Sequence, residues 1–199
     1  MRKLRIIEHI SLDGIVQAPG GRTEDGDYPY GGWSVPYGDP EAFKVIAEAH
    51  GHGFDLLLGR RTYDIWASYW PNAAGNPFAD NINSATKYIA THRPESLQWG
   101  PVEALGPDLA EGVRRIKAQN GPDLILWGSS TLTPALIEHE LADEVMLFVY
   151  PVLLGKGKRF FSNEVSPRSL ALANSKAVPS GVIINTYKPD GPLRTGNVE

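Results

Sequence analysis

The sequence predicts an α/β domain: a mainly parallel sheet with helices on both faces, closed by an antiparallel hairpin at the C-terminal end. Two observations predict it. Short apolar, β-branched runs alternate with stretches whose apolar residues recur at helical spacing through most of the chain. The last two strand-like runs, Ser169 to Val178 and Val182 to Tyr187, are joined by Pro179-Ser180-Gly181 alone, as in a hairpin. No linker divides the 199 residues, so residues 1–188 read as one domain and the polar, Gly/Pro-containing residues 189–199 as a flexible tail.

Leu4 to Ile10 is apolar and β-branched, a first strand. Ser11 to Pro40 is rich in Gly, Pro, Asp and Tyr and reads as a long loop, a length that in a compact domain marks a functional or disordered segment. Pro40 to His50 reads as a helix: Asp39 suits its N-cap, Pro40 its first position and Gly51 its stop. Leu56-Leu57-Leu58 is wholly apolar, as a strand buried on both faces would be. Gly59-Arg60-Arg61-Thr62 then turns into a helix with Tyr63, Ile65 and Trp66. Lys87 to Ala90 is a strand ending at Thr91-His92-Arg93. Asp108 to Gln119 is an amphipathic helix stopped by Asn120-Gly121. Leu124 to Trp127 is a buried strand, and Gly128-Ser129-Ser130-Thr131 leads from it into the helix bearing Leu132, Leu136 and Ile137. Glu144 to Tyr150 is a strand.

Composition excludes whole classes of chemistry. With no cysteine there are no disulfides, thiolate metal sites, thiol nucleophiles or cysteine-ligated zinc deaminase chemistry. A net charge of -4 without a basic block argues against sequence-independent nucleic-acid binding. The N-terminus lacks the apolar core of a secretory signal, and Pro151 interrupts the longest apolar run. A cytoplasmic protein without a membrane partner is expected. His50-Gly51-His52 lacks nearby acids, so no metal site is expected. Ser129-Ser130 lies in no G-x-S-x-G elbow, which discounts hydrolysis.

In open α/β sheets, ligands bind beyond the carboxyl ends of the strands. Three strand ends here carry fitting groups: Gly59-Arg60-Arg61-Thr62, Thr91-His92-Arg93, and the Gly128 turn opening a helix whose free N–H groups suit a pyrophosphate. Each alone is an ordinary strand-to-helix turn. Together they point to a phosphorylated dinucleotide, and the arginines favour NADPH over NADH. Neither common fingerprint is present: the first strand ends in Ser11-Leu12-Asp13-Gly14, not G-x-G-x-x-G, and Gly155-Lys156-Gly157-Lys158 is not a P-loop.

Five segments in order now carry a resemblance: Ser11 to Gly14, Leu58 to Tyr63, Leu126 to Leu132, Leu141 to Val145, and Pro151 to Gly157 running to Phe160-Phe161. From about residue 3 to 188 the chain resembles a stand-alone member of the dihydrofolate reductase-like superfamily. It is most similar to the reductase (C-terminal) domain of the bifunctional riboflavin-biosynthesis deaminase/reductase. The resemblance implies a three-layer αβα fold, a homodimer through C-terminal strands with Met146 to Leu154 suited to the interface, and NADPH across the strand ends. It assigns Gly59, Arg60, Arg61 and Thr62 to the cofactor phosphates and Thr91, His92 and Arg93 to the neighbourhood of the 2′-phosphate. Gly128, Ser129, Ser130, Thr131 and Leu132 fall under the pyrophosphate, with Ser129 and Ser130 in place of glycines. Ser11, Asp13, Gly14 and Ile15 lie near nicotinamide and substrate. The insertion Ala18 to Asp39, carrying Tyr28, Tyr30, Trp33 and Tyr37, has no clear counterpart in the riboflavin enzymes.

A small heterocyclic (pyrimidine- or pterin-like) or imine/carbonyl substrate is expected, with the cofactor supplying hydride. Asp13 is the first choice for the acid that completes the reduction, with Asp39, Glu41 and Glu48 as other acids available. Trp33, Phe43, Tyr63 and Trp66 can wall a pocket for a flat ring. The competing reading is a non-catalytic dimeric protein that binds a nucleotide or small aromatic ligand on the same scaffold. His9, on the first strand, reads as a hydrogen-bonded core residue.

Overall fold

The apolar runs become the strands of one sheet, and the helical stretches cover its two faces. The computed structural model describes residues 1–51, 53–73, 75, 77–161 and 165–198. The strands are β1 (Leu4–Ser11), β2 (Phe54–Gly59), β3 (Lys87–Ala90), β4 (Val102–Ala104), β5 (Asp123–Trp127), β6 (Glu144–Tyr150), β7 (Arg168–Ala177) and β8 (Ile183–Pro192). The helices are α1 (Pro40–His50), α2 (Arg60–Tyr69), α3 (Pro77–Ser84), α4 (Leu109–Ala118) and α5 (Thr133–Glu138). Strand order is β4-β3-β2-β5-β1-β6-β8-β7. From β4 to β6 all neighbours are parallel, and β6-β8 and β8-β7 are antiparallel.

Alternation along the strands divides the core. Ile7, Leu56, Leu58, Ile89, Ile125 and Trp127 pack toward α1, α2 and α3, through Ala42, Ile46, Tyr63 and Ile82. Leu4, Ile6, Leu57, Leu124 and Leu126 pack toward α4 and α5, through Val113, Ile116, Leu136 and Ile137. Strands buried on both faces favour apolar runs, which is why Leu56-Leu57-Leu58 of β2 and Leu124 to Trp127 of β5 show no polar alternation. Each Ile or Leu fully withdrawn from water contributes roughly 1.5–3 kcal/mol. Asp39 caps α1 by accepting from Glu41 N at 2.8 Å, and Asp108 caps α4 by accepting from Glu111 N at 2.8 Å.

Two elements have no clear sequence signal. β4 is three residues long, and α3 buries only Ala79 and Ile82. β8 runs on to Pro192, into the stretch read as a tail, because it pairs with β7 as far as Arg168. Within the apolar Met146 to Leu154 segment, Met146, Leu147, Phe148 and Tyr150 are buried in a strand held between β1 and β8, while Leu153 beyond it is exposed. The loop from residue 12 to 39 is not structureless. Trp33 Nε1 donates to Gln17 O at 2.8 Å, Ser34 Oγ to Pro19 O at 2.8 Å, and Val35–Tyr37 form a 3₁₀ turn.

Two buried cations stand on the sheet away from its carboxyl end. Arg2 pairs with Asp55 and donates to Pro122 O at 2.5 Å. Lys87 donates to Asn83 O and Gly100 O and lies 4.4 Å from the Trp99 ring centroid, with burial lowering its pKa to about 8. Among the described residues no helix is long and apolar enough to cross a membrane.

Candidate functional site

Two glycine turns at neighbouring strand ends build the site. β2 ends at Gly59, which serves as N-cap of α2 without any side-chain cap, so the first N–H groups of that helix have no capping acceptor. β5 leads into Gly128 and Ser129, both at positive φ (56° and 57°). Ser129 Oγ accepts from Gly59 N at 2.8 Å, and Thr62 Oγ1 accepts from Ser129 N at 3.0 Å. A Cβ at Gly128 would lie 3.1 Å from Thr62 Oγ1, so only glycine lets the turn press this close to α2.

A cavity of about 810 Å³ opens over these turns, within the range of small-molecule sites. Gly59, Arg60, Arg61, Thr62, Gly128, Ser129, Ser130 and Thr131 line it together. Leu132 is not a lining residue; it precedes α5 as its N-cap. The ordered loop supplies a wall through Val16 to Gly20, Glu24 and Asp25, and Lys158 faces it from the segment after β6. Asp25 is the hub of this wall: it pairs with Arg61 and with Lys158 (2.8 Å) and accepts from Gln17 Nε2 at 2.7 Å. Arg60 is committed elsewhere, to Asp64 at 2.8 Å, Arg93 O at 3.0 Å and Ser96 Oγ at 2.6 Å.

The rest of the lining is largely apolar. Phe43, Ile46 and Ala47 of α1, Ile65, Trp66 and Tyr69 of α2, and Trp70, Phe78 and Trp127 supply it. Phe43 is 63% exposed on the surface of α1 because it faces this opening and not the core. Tyr63 is instead buried, its hydroxyl accepting from Gln98 N and Trp99 N. None of the acids at the first helix lines the cavity. Asp39 caps α1 and accepts from Ser180 N, Glu41 pairs with Lys176 at 2.7 Å, and Glu48 is exposed.

The floor holds two groups that sequence reasoning did not place there. His9 is half-buried, its Nδ1 2.9 Å from the Tyr150 hydroxyl, and burial lowers its pKa to about 4, so the ring is neutral at pH 7. It is the hydrogen-bonded residue expected and also a lining residue. Glu8 is 3% exposed, and its Oε2 meets no hydrogen-bond partner among the described residues. Burial raises its pKa well above the ordinary 4.5, the Gly128 N–H pulls it partly back, and Glu24 adds repulsion. A lone Glu in an apolar strand was the available signal.

Ser11, Asp13, Gly14 and Ile15, expected near the nicotinamide, are not lining residues of the cavity. Asp13 does not line the cavity; its carboxylate accepts from Ser11 Oγ at 2.6 Å, Gly155 N at 2.7 Å and Leu154 N at 3.2 Å. It ties the end of β1 to the segment after β6. The Ser11 hydrogen bond, with the two backbone N–H groups, lowers its pKa to about 2, so it is ionised at neutral pH and holds no proton to give. Ser11 and Gly14 are part of this latch: Ser11 Oγ accepts from Ile15 N, and Gly14 N donates to Ser11 O. Ile15 is fully buried, and Trp33 packs edge-on against Tyr150 at 5.2 Å. Thr91, His92 and Arg93 lie beside Arg60 on the same rim but line no part of the cavity. The His50 ring is committed, Nδ1 to Ile46 O and Nε2 to Trp127 Nε1, and His52 lies outside the described residues.

The latch predicts a pH effect. The folded pKa of Asp13 lies below its ordinary 3.8, so its ionised form stabilises the fold above about pH 4, and that contribution is lost as pH falls toward about 2. Asp13→Asn is therefore expected to melt below wild type near pH 6, with the gap shrinking near pH 3. A gap independent of pH in thermal melts would contradict this.

The comparisons with known proteins follow the same fold. The family model for the RibD C-terminal domain matches residues 2–184. The uncharacterised protein YyaP of Bacillus subtilis (strain 168) is 27% identical over 141 residues, 68% of this chain and 74% of that protein. A structure described as a riboflavin biosynthesis protein from Shewanella sp. PV-4 superposes with a TM-score of 0.69 at 19% identity, covering 94% of this chain and 99% of that one. Dihydrofolate reductase from Enterococcus faecalis, solved with NADP(H), superposes with a TM-score of 0.60 at 16% identity, covering 94% and 96%.

Proposed function

The chain belongs to the RibD C-terminal domain family, and on that premise we propose that it is an NADPH-dependent reductase of a small heterocyclic (pyrimidine- or pterin-like) or imine/carbonyl substrate. The observation that carries this reading is the two-part lining of the cavity. One part has the uncapped N-terminus of α2 facing the Gly128-Ser129 turn, with Arg61 and Lys158 nearby; the other has Phe43, Trp66, Trp70 and Trp127. Free helical N–H groups and cations suit phosphates, and aromatic walls suit flat rings. These residues fit the cofactor that the family implies. When bound, it supplies the hydride.

Asp25 holds Arg61 and Lys158 in the positions a phosphate would engage, keeping both cations partnered until an anion competes for them. Trp66, Trp70 and Phe43 exclude water from the apolar part. The same reading takes the protein as a cytoplasmic homodimer, with β7, the outer strand of the sheet and bearer of an exposed Leu172, as the surface nearest to such use.

Three of the five tryptophans line the cavity, so cofactor binding is expected to quench their fluorescence. NADPH should bind more tightly than NADH, and Arg61→Ala should weaken NADPH by at least about tenfold, as loss of one charge-assisted hydrogen bond does. Binding of neither dinucleotide at millimolar concentration overturns the reductase reading in favour of a protein that binds another ligand.

A further inference from the structure

A reduction needs a proton as well as a hydride, and few groups around this cavity can give one. Asp13 is an ionised latch outside it. Asp25 is paired with Arg61 and Lys158, and Glu24 Oε2 accepts from Gly20 N and Gly21 N. His9 is neutral and bonded to Tyr150. Glu8 remains. It is on β1, in the centre of the sheet, lines the cavity beside the Gly128 turn, and is 3% exposed with Oε2 unpartnered among the described residues.

We infer that Glu8 is the acid of this site, its Oε2 carrying a proton that it offers to the carbonyl oxygen or imine nitrogen of a substrate lying over β1. The inference rests on the reductase reading for the fate of that proton, but not for its presence. A carboxyl withdrawn from water without a cationic partner keeps its proton, because the neutral form loses less hydration. Among the described residues, the charged groups sharing the cavity wall do not supply that partner. Arg60 and Arg61 on α2 are taken by Asp64 and Asp25, and Lys158 also by Asp25. Glu24 on the loop disfavours a second carboxylate.

In the reduction the substrate carbon takes a hydride with its electron pair, and the π pair of the C=O or C=N bond moves onto oxygen or nitrogen. That atom takes the Glu8 proton as the carboxyl O–H bond breaks. The carboxylate is then reprotonated from solvent, and the reductant, a reduced nicotinamide, ends two electrons poorer.

Glu8→Gln tests this without any cofactor. The folded pKa of Glu8 is raised above its ordinary 4.5, so the wild type has its full stability below about pH 4.5 and loses some as pH rises toward the folded value. The Gln variant, neutral throughout, is expected to melt above wild type near pH 7 and to lose that advantage near pH 4. Infrared spectra of protein carrying ¹³C-labelled glutamate should show a protonated-carboxyl stretch near pH 7 that is missing in Glu8→Gln. No stability gain and no such band mean an ionised Glu8 and overturn the inference, whatever the dinucleotide titration gives. With substrate, Glu8→Gln should lower turnover by about a hundredfold or more while NADPH affinity stays within about twofold. Wild-type turnover in the variant overturns the assignment as proton donor even if the band is present.

Discussion

Gly128→Val is expected to destabilise the protein by about 2–4 kcal/mol and to weaken dinucleotide binding more than tenfold. Gly128 holds φ +56°, a left-handed conformation that a β-branched residue adopts only with strain of about 1–3 kcal/mol. The new Cβ would also lie 3.1 Å from Thr62 Oγ1, the hydroxyl that accepts from Ser129 N. Displacing it breaks the knot joining the two turns, at about 1 kcal/mol more. For a domain of this size the melting temperature should fall by about 10 °C. Gly128→Ala should show a smaller loss in the same direction. Dinucleotide affinity unchanged in the valine variant would separate this turn from the phosphate site.

Asp55→Ala is expected to cost about 3–5 kcal/mol, the usual cost of orphaning a buried charge. Arg2 and Asp55 are 4% and 8% exposed. Asp55 Oδ2 pairs with Arg2, and its Oδ1 accepts from Thr86 N at 3.0 Å, so one substitution strands a guanidinium and a backbone N–H. Pro122 O at 2.5 Å and Tyr88 Oη at 3.3 Å still accept from Arg2 but carry no countercharge. Thermal melts should fall by roughly 10 °C or more. Arg2→Met combined with Asp55→Leu should recover part of the loss, because apolar replacement of both partners leaves no buried charge. A single variant as stable as wild type would mean that Arg2 escapes to water at little cost.

The parallel sheet was legible because strands buried on both faces spell themselves out as apolar runs, as in Leu56-Leu57-Leu58 and Leu124 to Trp127. The turns at Gly59 and Gly128 were legible because residues between a strand and a helix must stand at the sheet's carboxyl end. β4 and α3 were not, since three residues and two buried side chains carry too little periodicity. The loop from residue 12 to 39 was read as irregular, yet it is held by bonds such as Trp33 Nε1 to Gln17 O that sequence spacing does not encode. Thr91, His92 and Arg93 show the limit of the strand-end rule. Their strand ends on the same rim, but Arg93 meets Arg60 and Asp64, and none of the three lines the cavity.

Asp13 and Glu8 mark the division most sharply. From sequence, Asp13 at a strand end is the natural acid, and Glu8 is a stray charge in a strand. The fold reverses them, because a carboxylate's state depends on what surrounds it in space. The end of the strand gives Asp13 the Ser11 hydroxyl and, some 140 residues away in the chain, the backbone N–H groups of Gly155 and Leu154, and together these lower its pKa. The centre of the sheet takes Glu8 out of water beside a cavity and, among the described residues, gives Oε2 no hydrogen-bond partner. The sequence by itself determined the layers, the strand ends and the glycine turns, which follow from local periodicity and backbone freedom. Only the tertiary structure decided which acid lies buried beside the cavity and which is latched outside it, because burial and hydrogen-bond partners are set by contacts between distant segments.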